Sequence, residues 1–112
     1  MEIQLVEHQG CTVAKPQIDV LNTSNSRELL VKLDAITADQ QKIVLDLSML
    51  SFIDSSGIGS LLTMQKHQLQ NNGILYLCGL SDTVDKVLRQ LQLNRVFSIV
   101  KTADEAVAEL GG

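Results

Sequence analysis

The residues most able to do chemistry form one short stretch, in which an acid, two hydroxyls and two glycines lie close together. The stretch is Asp54-Ser55-Ser56-Gly57-Ile58-Gly59. A short apolar, strand-like segment precedes it, and apolar residues at helical spacing follow it. Because Asp and Ser are preferred N-cap residues, the pattern predicts that a strand delivers the serines to an exposed helix N-terminus, with the helix beginning at about Ser56.

Three interpretations of this stretch compete. It can be a simple helix cap, with glycines that permit a tight turn. It can bind phosphate, since the amides of a helix N-terminus attract anions, but the third glycine of GxGxxG and the lysine of a P-loop are missing. It can also be a phosphorylation switch. A phosphoserine adds about −1.5 to −2 charges, which a helix N-terminus tolerates and a docked partner surface does not.

Catalysis by one of these serines has little support in the sequence. A GxSxG nucleophile elbow is absent, and His8 and His67 stand at no recognisable spacing from the serines. Cys11 and Cys78 lie in predicted strands without a CxxC pair, which favours buried thiols over metal or redox chemistry. We therefore expect a protein that is not an enzyme and that uses no metal or cofactor.

The composition is typical of one globular domain. The chain has 112 residues, of which 45% are hydrophobic, so a single domain over residues 1–112 is expected. A net charge of −4 without a basic patch, together with the absence of tryptophan, argues against direct nucleic-acid binding. No apolar run approaches the roughly 18 residues of a membrane span, and the N-terminus does not resemble a signal peptide. We expect a cytoplasmic protein with no membrane insertion.

The elements that position the serines follow from hydrophobic patterning. Residues 2–8 and 11–15 are predicted strands with a turn at Gln9-Gly10, which makes an antiparallel hairpin. Helices and strands then alternate, so the later strands should be parallel and the sheet mixed. Function in such sheets gathers at the carboxyl ends of the strands, where the serine stretch and Asp19 are expected to lie.

The helices carry more detailed predictions. Asn25 and Glu28 have the spacing of a capping box at the start of the first helix. The two helices that follow are expected to bury their apolar stripes. These stripes comprise Ile58, Leu61, Leu62 and Leu69 in the first of them, and Val84, Val87, Leu88 and Leu91 in the second.

The segment from Ile43 to Leu62, IVLDLSMLSFIDSSGIGSLL, resembles the STAS family, the anti-sigma factor antagonist domains. It follows the family's order of apolar strand, Asp-Leu-Ser, Phe-aliphatic and Asp-Ser-Ser/Thr-Gly-aliphatic-Gly. The likeness extends over nearly the whole chain. It implies the α/β STAS fold, with a mixed sheet of about four to five strands that opens with an antiparallel hairpin and carries helices mainly on one face.

The resemblance also implies a bacterial partner-switching role in transcription regulation. In the family, the unphosphorylated domain binds an anti-sigma factor that is also a serine kinase, and this frees a sigma factor. Phosphorylation by the kinase breaks the complex, and a PPM-type serine phosphatase restores it. The alternative is a constitutive STAS subunit of a signalling or lipid-transport complex, in which the serine only caps the helix.

The resemblance assigns roles to individual residues. Ser55, immediately after the motif aspartate, is the expected phosphorylation site, and Ser56 is the second choice. Asp19 matches the family's acidic position beside the phosphosite and would contribute to partner docking. Asp54 would orient the turn.

Three further residues complete these expectations. Gly57 and Gly59 would allow close approach of the kinase. Asp46 is interpreted as structural, because an aspartate at the end of a strand commonly bonds to the backbone of the following loop.

Overall fold

The computed structural model describes residues 1–8 and 10–111 of the chain. The strands are β1 (Ile3–His8), β2 (Cys11–Pro16), β3 (Val20–Leu21), β4 (Lys42–Asp46), β5 (Phe52–Ile53), β6 (Ile74–Cys78) and β7 (Ser98–Val100). The helices are α1 (Ser26–Thr37), α2 (Ser55–Gln70), α3 (Asp82–Gln90) and α4 (Ala103–Gly111), with a 3₁₀ turn at Leu93–Arg95. The predicted hairpin turn includes Gln9, which lies outside the described residues.

Five strands form the main sheet in the order β1-β2-β4-β6-β7. β1 and β2 pair antiparallel, and the other neighbours pair parallel, so the predicted mixed sheet with an opening hairpin is confirmed. β3 and β5 form a separate two-stranded parallel ribbon beside this sheet. The ribbon leads directly into α2.

The central strands are buried on both faces, which explains their uninterrupted apolar runs. In β4, the side chains of Ile43, Val44 and Leu45 are each at most 2% exposed. Alternate residues of a strand point to opposite faces, so a strand covered by helices on both sides must be apolar at every position. β1 lies at the edge of the sheet and is largely exposed.

The helices lie mainly on one face of the sheet, as predicted. α1, α2 and α3 contribute to the larger core, whereas α4 covers the opposite face of the sheet and contributes to a smaller core. The helical members of the larger core include Leu29, Leu33, Leu61, Val84 and Leu88, and those of the smaller core are Ala106 and Leu110. The serine stretch therefore belongs to the three-helix face.

The predicted buried stripe of α2 is wrong in part. Leu62 is 37% exposed and Leu69 is 62% exposed. Gln68 takes the buried position near the C-terminal end of α2, because its side chain donates a hydrogen bond of 2.9 Å to the carbonyl of Gln40 and so holds the connection between α1 and β4. Leu91 was also expected to be buried, but α3 ends at Gln90, so Leu91 leaves the helix and is exposed.

The predicted capping box of α1 is not formed. Asn25 is the N-cap residue, but its side chain accepts a hydrogen bond from the amide of Asn22 (2.9 Å) and donates one to the carbonyl of Val20 (2.8 Å). The Glu28 carboxylate lies 3.4 Å from the ammonium of Lys32 instead. The Asn25 side chain is turned towards the preceding loop and makes no hydrogen bond to the amides of α1.

Candidate functional site

The serine stretch lies where β5 passes into α2, and only Asp54 separates the two elements. The predicted delivery of the serines from a strand to a helix N-terminus is confirmed, with the helix beginning at Ser55, one residue before the predicted start. Asp54 has extended backbone angles, and its Oδ1 accepts a hydrogen bond of 3.0 Å from the amide of Gly57. This N-cap fixes the direction in which each residue of the first turn points.

The β3–β5 ribbon supports this helix start from below. Val20 pairs with Phe52, and Leu21 pairs with Ile53. The amide of Asp54 then donates a hydrogen bond of 3.1 Å to the carbonyl of Leu21. The residue that caps α2 is thus tied to the end of β3, which lies 33 residues earlier in the chain.

Gly57 is buried against this ribbon. A Cβ atom at this position would lie 2.7 Å from Cγ1 of Ile53 and 2.8 Å from both Cγ and the carbonyl oxygen of Leu21. These distances are too short for carbon, so the first turn of α2 can rest on the ribbon only if the residue has no side chain. The contacts explain the glycine by internal packing.

Gly59 has a different environment. Apart from its chain neighbours and the nearby backbone of α2, no atom of the described residues lies within 4 Å of the position that its Cβ would occupy, and the residue is exposed. It lines an open groove of about 200 Å³ between α1 and α2, together with Ser26, Arg27, Leu30, Ser56, Ser60 and Thr63. Nothing inside the described fold therefore requires a glycine at residue 59.

The two neighbouring serines differ in their surroundings. Ser55 is exposed, and its hydroxyl makes no side-chain hydrogen bond within residues 1–8 and 10–111. Ser56 is half-buried, and its Oγ lies 2.9 Å from Oγ1 of Thr23, a hydrogen bond in which either hydroxyl can donate. Successive helix residues point about 100° apart, so the cap that turns Ser55 outward also turns Ser56 towards α1.

Thr23 is the residue of this site that the sequence analysis missed. It lies in the loop between β3 and α1, which is held by hydrogen bonds from Asn22 N to Asn25 Oδ1 and from Ser24 N to Asn22 Oδ1, each 2.9 Å long. The available signal was a run of Asn, Thr and Ser residues, and such runs usually indicate only turns and caps.

Asp19 lies at the opposite end of the ribbon from the serines. Its main-chain carbonyl accepts hydrogen bonds from the amide of Ser51 (2.7 Å), the hydroxyl of Ser51 (2.9 Å) and the amide of Phe52 (3.2 Å). The carboxylate side chain is exposed. No hydrogen bond joins Asp19 to Ser55 in the part of the chain that the structure describes. Asp19 and Ser55 both flank the ribbon, but the residue that forms a hydrogen bond with a serine of the site is Thr23, which bonds Ser56.

The electrostatics of the helix start favour a negative group. The first turn of α2 contains no acidic residue. The positive end of the helix dipole is therefore balanced only by the Asp54 carboxylate at the cap position. No lysine or arginine lies between Lys42 and Lys66 in the sequence. Arg27 of α1 lines the groove beside Ser56 and Gly59, so a phosphate at this helix start would lie near both the helix amides and a guanidinium.

Other groups with reactive side chains lie away from the serines. Cys11 and Cys78 are both buried, and burial raises the pKa of each thiol, that of Cys78 to about 12 with a smaller contribution from the Asp46 carboxylate. Asp46 also accepts a hydrogen bond of 2.9 Å from the amide of Ser48, which confirms its structural role in the loop after β4. His67 Nδ1 lies 3.0 Å from the carboxylate of Asp34, near the far end of α2.

Residues 1–8 and 10–111 contain neither a cluster of metal-ligating side chains nor a membrane-spanning helix. In this part of the chain, no group of three or more His, Cys, Asp or Glu side chains is arranged to hold a metal ion. None of its helices is both long enough and apolar enough to cross a membrane.

Comparison with known families decides the identity of the fold. The family model described as the STAS domain matches residues 2–106. The chain belongs to the STAS domain family. The resemblance of the segment around the serines is thereby confirmed, and the ribbon, the helix start and the serine pair are features of a STAS domain.

Several relatives of this STAS domain carry informative names. An anti-sigma F factor antagonist from Paenibacillus polymyxa is 26% identical over 111 residues, which are 98% of this chain and 95% of that protein. The structure of an anti-sigma-factor antagonist (STAS) domain protein from Planctomyces limnophilus has a TM-score of 0.87 at 23% identity, with 98% of each chain covered.

The protein SpoIIAA, a Bacillus cell fate determinant, shares the fold as well. Its phosphorylated form has a TM-score of 0.70 and 22% identity, and the match covers 97% of this chain and 99% of that chain. Its unphosphorylated form, described as an anti-sigma factor antagonist, has a TM-score of 0.74. At these identities, the structural likeness establishes the fold of the STAS domain.

Proposed function

We propose that this STAS domain is an anti-sigma factor antagonist that changes partners when Ser55 is phosphorylated. The observation that carries the proposal is the contrast at the start of α2. Asp54 caps the helix and Ser56 bonds Thr23, whereas the Ser55 side chain is exposed and its hydroxyl makes no side-chain hydrogen bond within residues 1–8 and 10–111. The names of its relatives and the existence of a phosphorylated SpoIIAA support the same role.

The partner of the unphosphorylated domain is an anti-sigma factor with serine-kinase activity. By binding this kinase, the domain frees a sigma factor, and a PPM-type serine phosphatase later removes the phosphate. The domain needs no catalytic residue, metal or cofactor, because the kinase and the phosphatase supply the chemistry. It acts in the cytoplasm, without direct contact to nucleic acid or insertion in a membrane.

The effect of the phosphate follows from where Ser55 lies. Its side chain contacts solvent and stands at a helix N-terminus that tolerates negative charge, so the folded domain survives phosphorylation. A partner that has docked over Ser55 must instead bury about −1.5 to −2 new charges. An unpaired charge in a buried interface costs about 2–5 kcal/mol, which lowers affinity roughly 30-fold to several thousand-fold.

The proposed docking surface combines the helix start with the ribbon. It includes Asp19, Asp54, Ser55 and Ser56, with Gly59 on the adjacent groove. Gly57 is buried and contributes by letting the helix rest on the ribbon.

Phe52 adds an apolar element to this surface. Its side chain is 49% exposed three residues before Ser55, whereas the other phenylalanine, Phe97, is 3% exposed. Exposed aromatic side chains of this kind often anchor interfaces.

A pull-down from the native host tests the proposal. Tagged wild type, Ser55→Ala and Ser55→Asp are used as baits, and mass spectrometry identifies the captured proteins. We expect wild type and Ser55→Ala to capture a kinase-type anti-sigma factor. Ser55→Asp should bind this partner at least about 30-fold more weakly and capture correspondingly less of it. Thr83→Asp is the matched control, because Thr83 is an exposed hydroxyl in the first turn of α3 and receives the same charge away from the site.

Equal capture by Ser55→Ala and Ser55→Asp would contradict the switch. A stable complex that co-purifies with every variant, without phosphate on the domain in cells, would instead favour a constitutive STAS subunit of a signalling or lipid-transport complex. In that case Ser55 would be no more than the first residue of a capped helix.

A further inference from the structure

Two adjacent serines occupy the first turn of α2, and the sequence motif alone does not separate them as phosphate acceptors. Both side chains belong to the same helix turn, and both follow the same cap. Their difference arises from a residue outside the motif. Thr23 Oγ1 lies 2.9 Å from Ser56 Oγ, across a separation of 33 residues.

The loop that carries Thr23 is held in place on both sides. Asn25 accepts a hydrogen bond from the amide of Asn22 and donates one of 2.8 Å to the carbonyl of Val20 in β3. Ser24 N donates a hydrogen bond to Asn22 Oδ1. The Asn25 side chain therefore forms its hydrogen bonds within this loop and does not cap α1. Because β3 pairs with β5, the same ribbon that sets the start of α2 also sets the position of Thr23.

We propose that Thr23 selects Ser55 over Ser56 as the phosphate acceptor by holding the Ser56 hydroxyl against the loop between β3 and α1. This inference rests on the proposed function. In the transfer from a nucleoside triphosphate, the serine Oγ forms a bond to the γ-phosphorus while the bond from that phosphorus to the β,γ-bridging oxygen breaks. The hydroxyl proton passes to a base of the kinase, and the nucleoside diphosphate leaves.

Ser56 meets this requirement poorly. Its Oγ must point a lone pair at the phosphorus, but it is half-buried and already shares a hydrogen bond with Thr23. Breaking one intramolecular hydrogen bond disfavours the reactive arrangement by about 2- to 12-fold. Ser55 has neither restriction, so a kinase reaches it without changing the fold. Thr23 is a positioning residue, because it acts through Ser56 and does not touch the reacting atoms of Ser55.

The first test maps the phosphate in the native host. Wild type, Thr23→Ala and Thr23→Ser are expressed there and purified, and peptide fragmentation assigns the phosphate to residue 55 or residue 56. We expect phosphate on Ser55 in the wild type and in Thr23→Ser, which keeps the hydroxyl. In Thr23→Ala the share on Ser56 should rise by about 2- to 12-fold. Thr63→Ala is the matched control, since it removes a threonine hydroxyl that bonds the main-chain carbonyl of Gly59 within α2 and does not bond Ser56.

The second test needs no kinase. Ser55→Cys and Ser56→Cys proteins are alkylated with iodoacetamide, in a chain whose native Cys11 and Cys78 are buried. We expect the thiol at residue 55 to react about 2- to 12-fold faster than the thiol at residue 56, because a single hydrogen bond restrains the latter, and Thr23→Ala to accelerate only the second reaction. A helix N-terminus activates both thiols, so the effect of Thr23 isolates the loop contact.

The outcomes separate the inference from the proposed function. Phosphate on Ser56 in the wild type overturns both the role of Thr23 and the assignment of the switch to Ser55. An unchanged site distribution in Thr23→Ala overturns only the role of Thr23 and leaves the switch at Ser55 intact. Equal alkylation rates at residues 55 and 56 also overturn the role of Thr23. A wild type that never carries phosphate while the thiols react as expected refutes the proposed function and supports the positioning of the two side chains by Thr23.

Discussion

The two glycines of the serine stretch should respond in opposite ways to the same substitution. In Gly57→Ala, the new Cβ meets three atoms of the ribbon within 2.8 Å, one of them the carbonyl oxygen of Leu21. A side chain can rotate away, but this carbonyl belongs to the β3 backbone and accepts the hydrogen bond from Asp54. The helix start must therefore move away from the ribbon.

Two opposing effects set the change in unfolding free energy of Gly57→Ala. Overpacking of this kind costs about 1–3 kcal/mol, and backbone contact places Gly57→Ala at the upper end. Replacing glycine by alanine in a helix stabilises the helix by up to about 1 kcal/mol, so the net loss of unfolding free energy is about 1–2 kcal/mol. Gly59→Ala meets no atom within 4 Å and should gain about 0.5–1 kcal/mol. The unfolding free energies of the two variants should differ by about 1.5–3 kcal/mol.

Urea unfolding followed by circular dichroism at 222 nm measures this difference. For a small domain with an m-value of about 2 kcal/mol/M, the urea midpoints of the two variants should lie about 0.75–1.5 M apart, with wild type between them. The m-values should agree, because neither change alters the surface exposed on unfolding. If Gly57→Ala is as stable as Gly59→Ala, then the contact between α2 and the ribbon does not require a glycine, and the reasoning is refuted.

Three further predictions concern the cap, a buried amide and a thiol. Asp54→Ala removes the N-cap and should lower the unfolding free energy by about 0.5–2 kcal/mol, whereas Asp54→Asn should retain most of it; parallel urea curves decide this. Gln68→Ala leaves the carbonyl of Gln40 without its partner and should cost about 1–3 kcal/mol, and a shift below 0.5 kcal/mol in the same assay would contradict the structural role of Gln68. The pKa of Cys78 is raised from 9.0 to about 12, so the folded state holds this proton more tightly than the unfolded state. Its contribution to stability is complete below about pH 9 and declines as the pH rises towards 12. Native protein at pH 8 should therefore resist Ellman's reagent at this thiol, and rapid labelling without unfolding would show that the burial is wrong.

Much of the fold could be predicted from short-range patterns. The run from Ile43 to Leu47 predicted a buried strand because only a strand between two helical layers is apolar on both faces. Ser81 and Thr102 stand directly before α3 and α4, at the position where a hydroxyl commonly caps a helix. Their hydroxyls accept the amides of Val84 (3.2 Å) and Glu105 (3.1 Å), respectively. A cap and its amide lie within a few residues of each other, so local sequence contains the whole interaction.

The incorrect predictions concern which of several possible hydrogen-bond partners a side chain takes, and which of two neighbouring residues is buried. Asn25 has the spacing of a capping box, yet its amide side chain bonds Val20 and Asn22. Leu69 has the hydrophobicity of a core residue, yet Gln68 is buried in its place because a carbonyl of the preceding connection needs a donor. Periodicity identifies the class of residue that can be buried, but the neighbours that decide the matter come from distant parts of the chain.

The sequence by itself determined the position of the candidate site in the fold. Asp54 and the serines that follow it form a local unit, and their order between a strand and an apolar helix predicts an exposed helix start. Only the tertiary structure decided which hydroxyl stays free, because Thr23 reaches Ser56 through the pairing of β3 with β5. A hydrogen bond between residues 33 positions apart depends on how the ribbon brings the loop with Thr23 next to the start of α2. The spacing of residues within the motif cannot predict that contact.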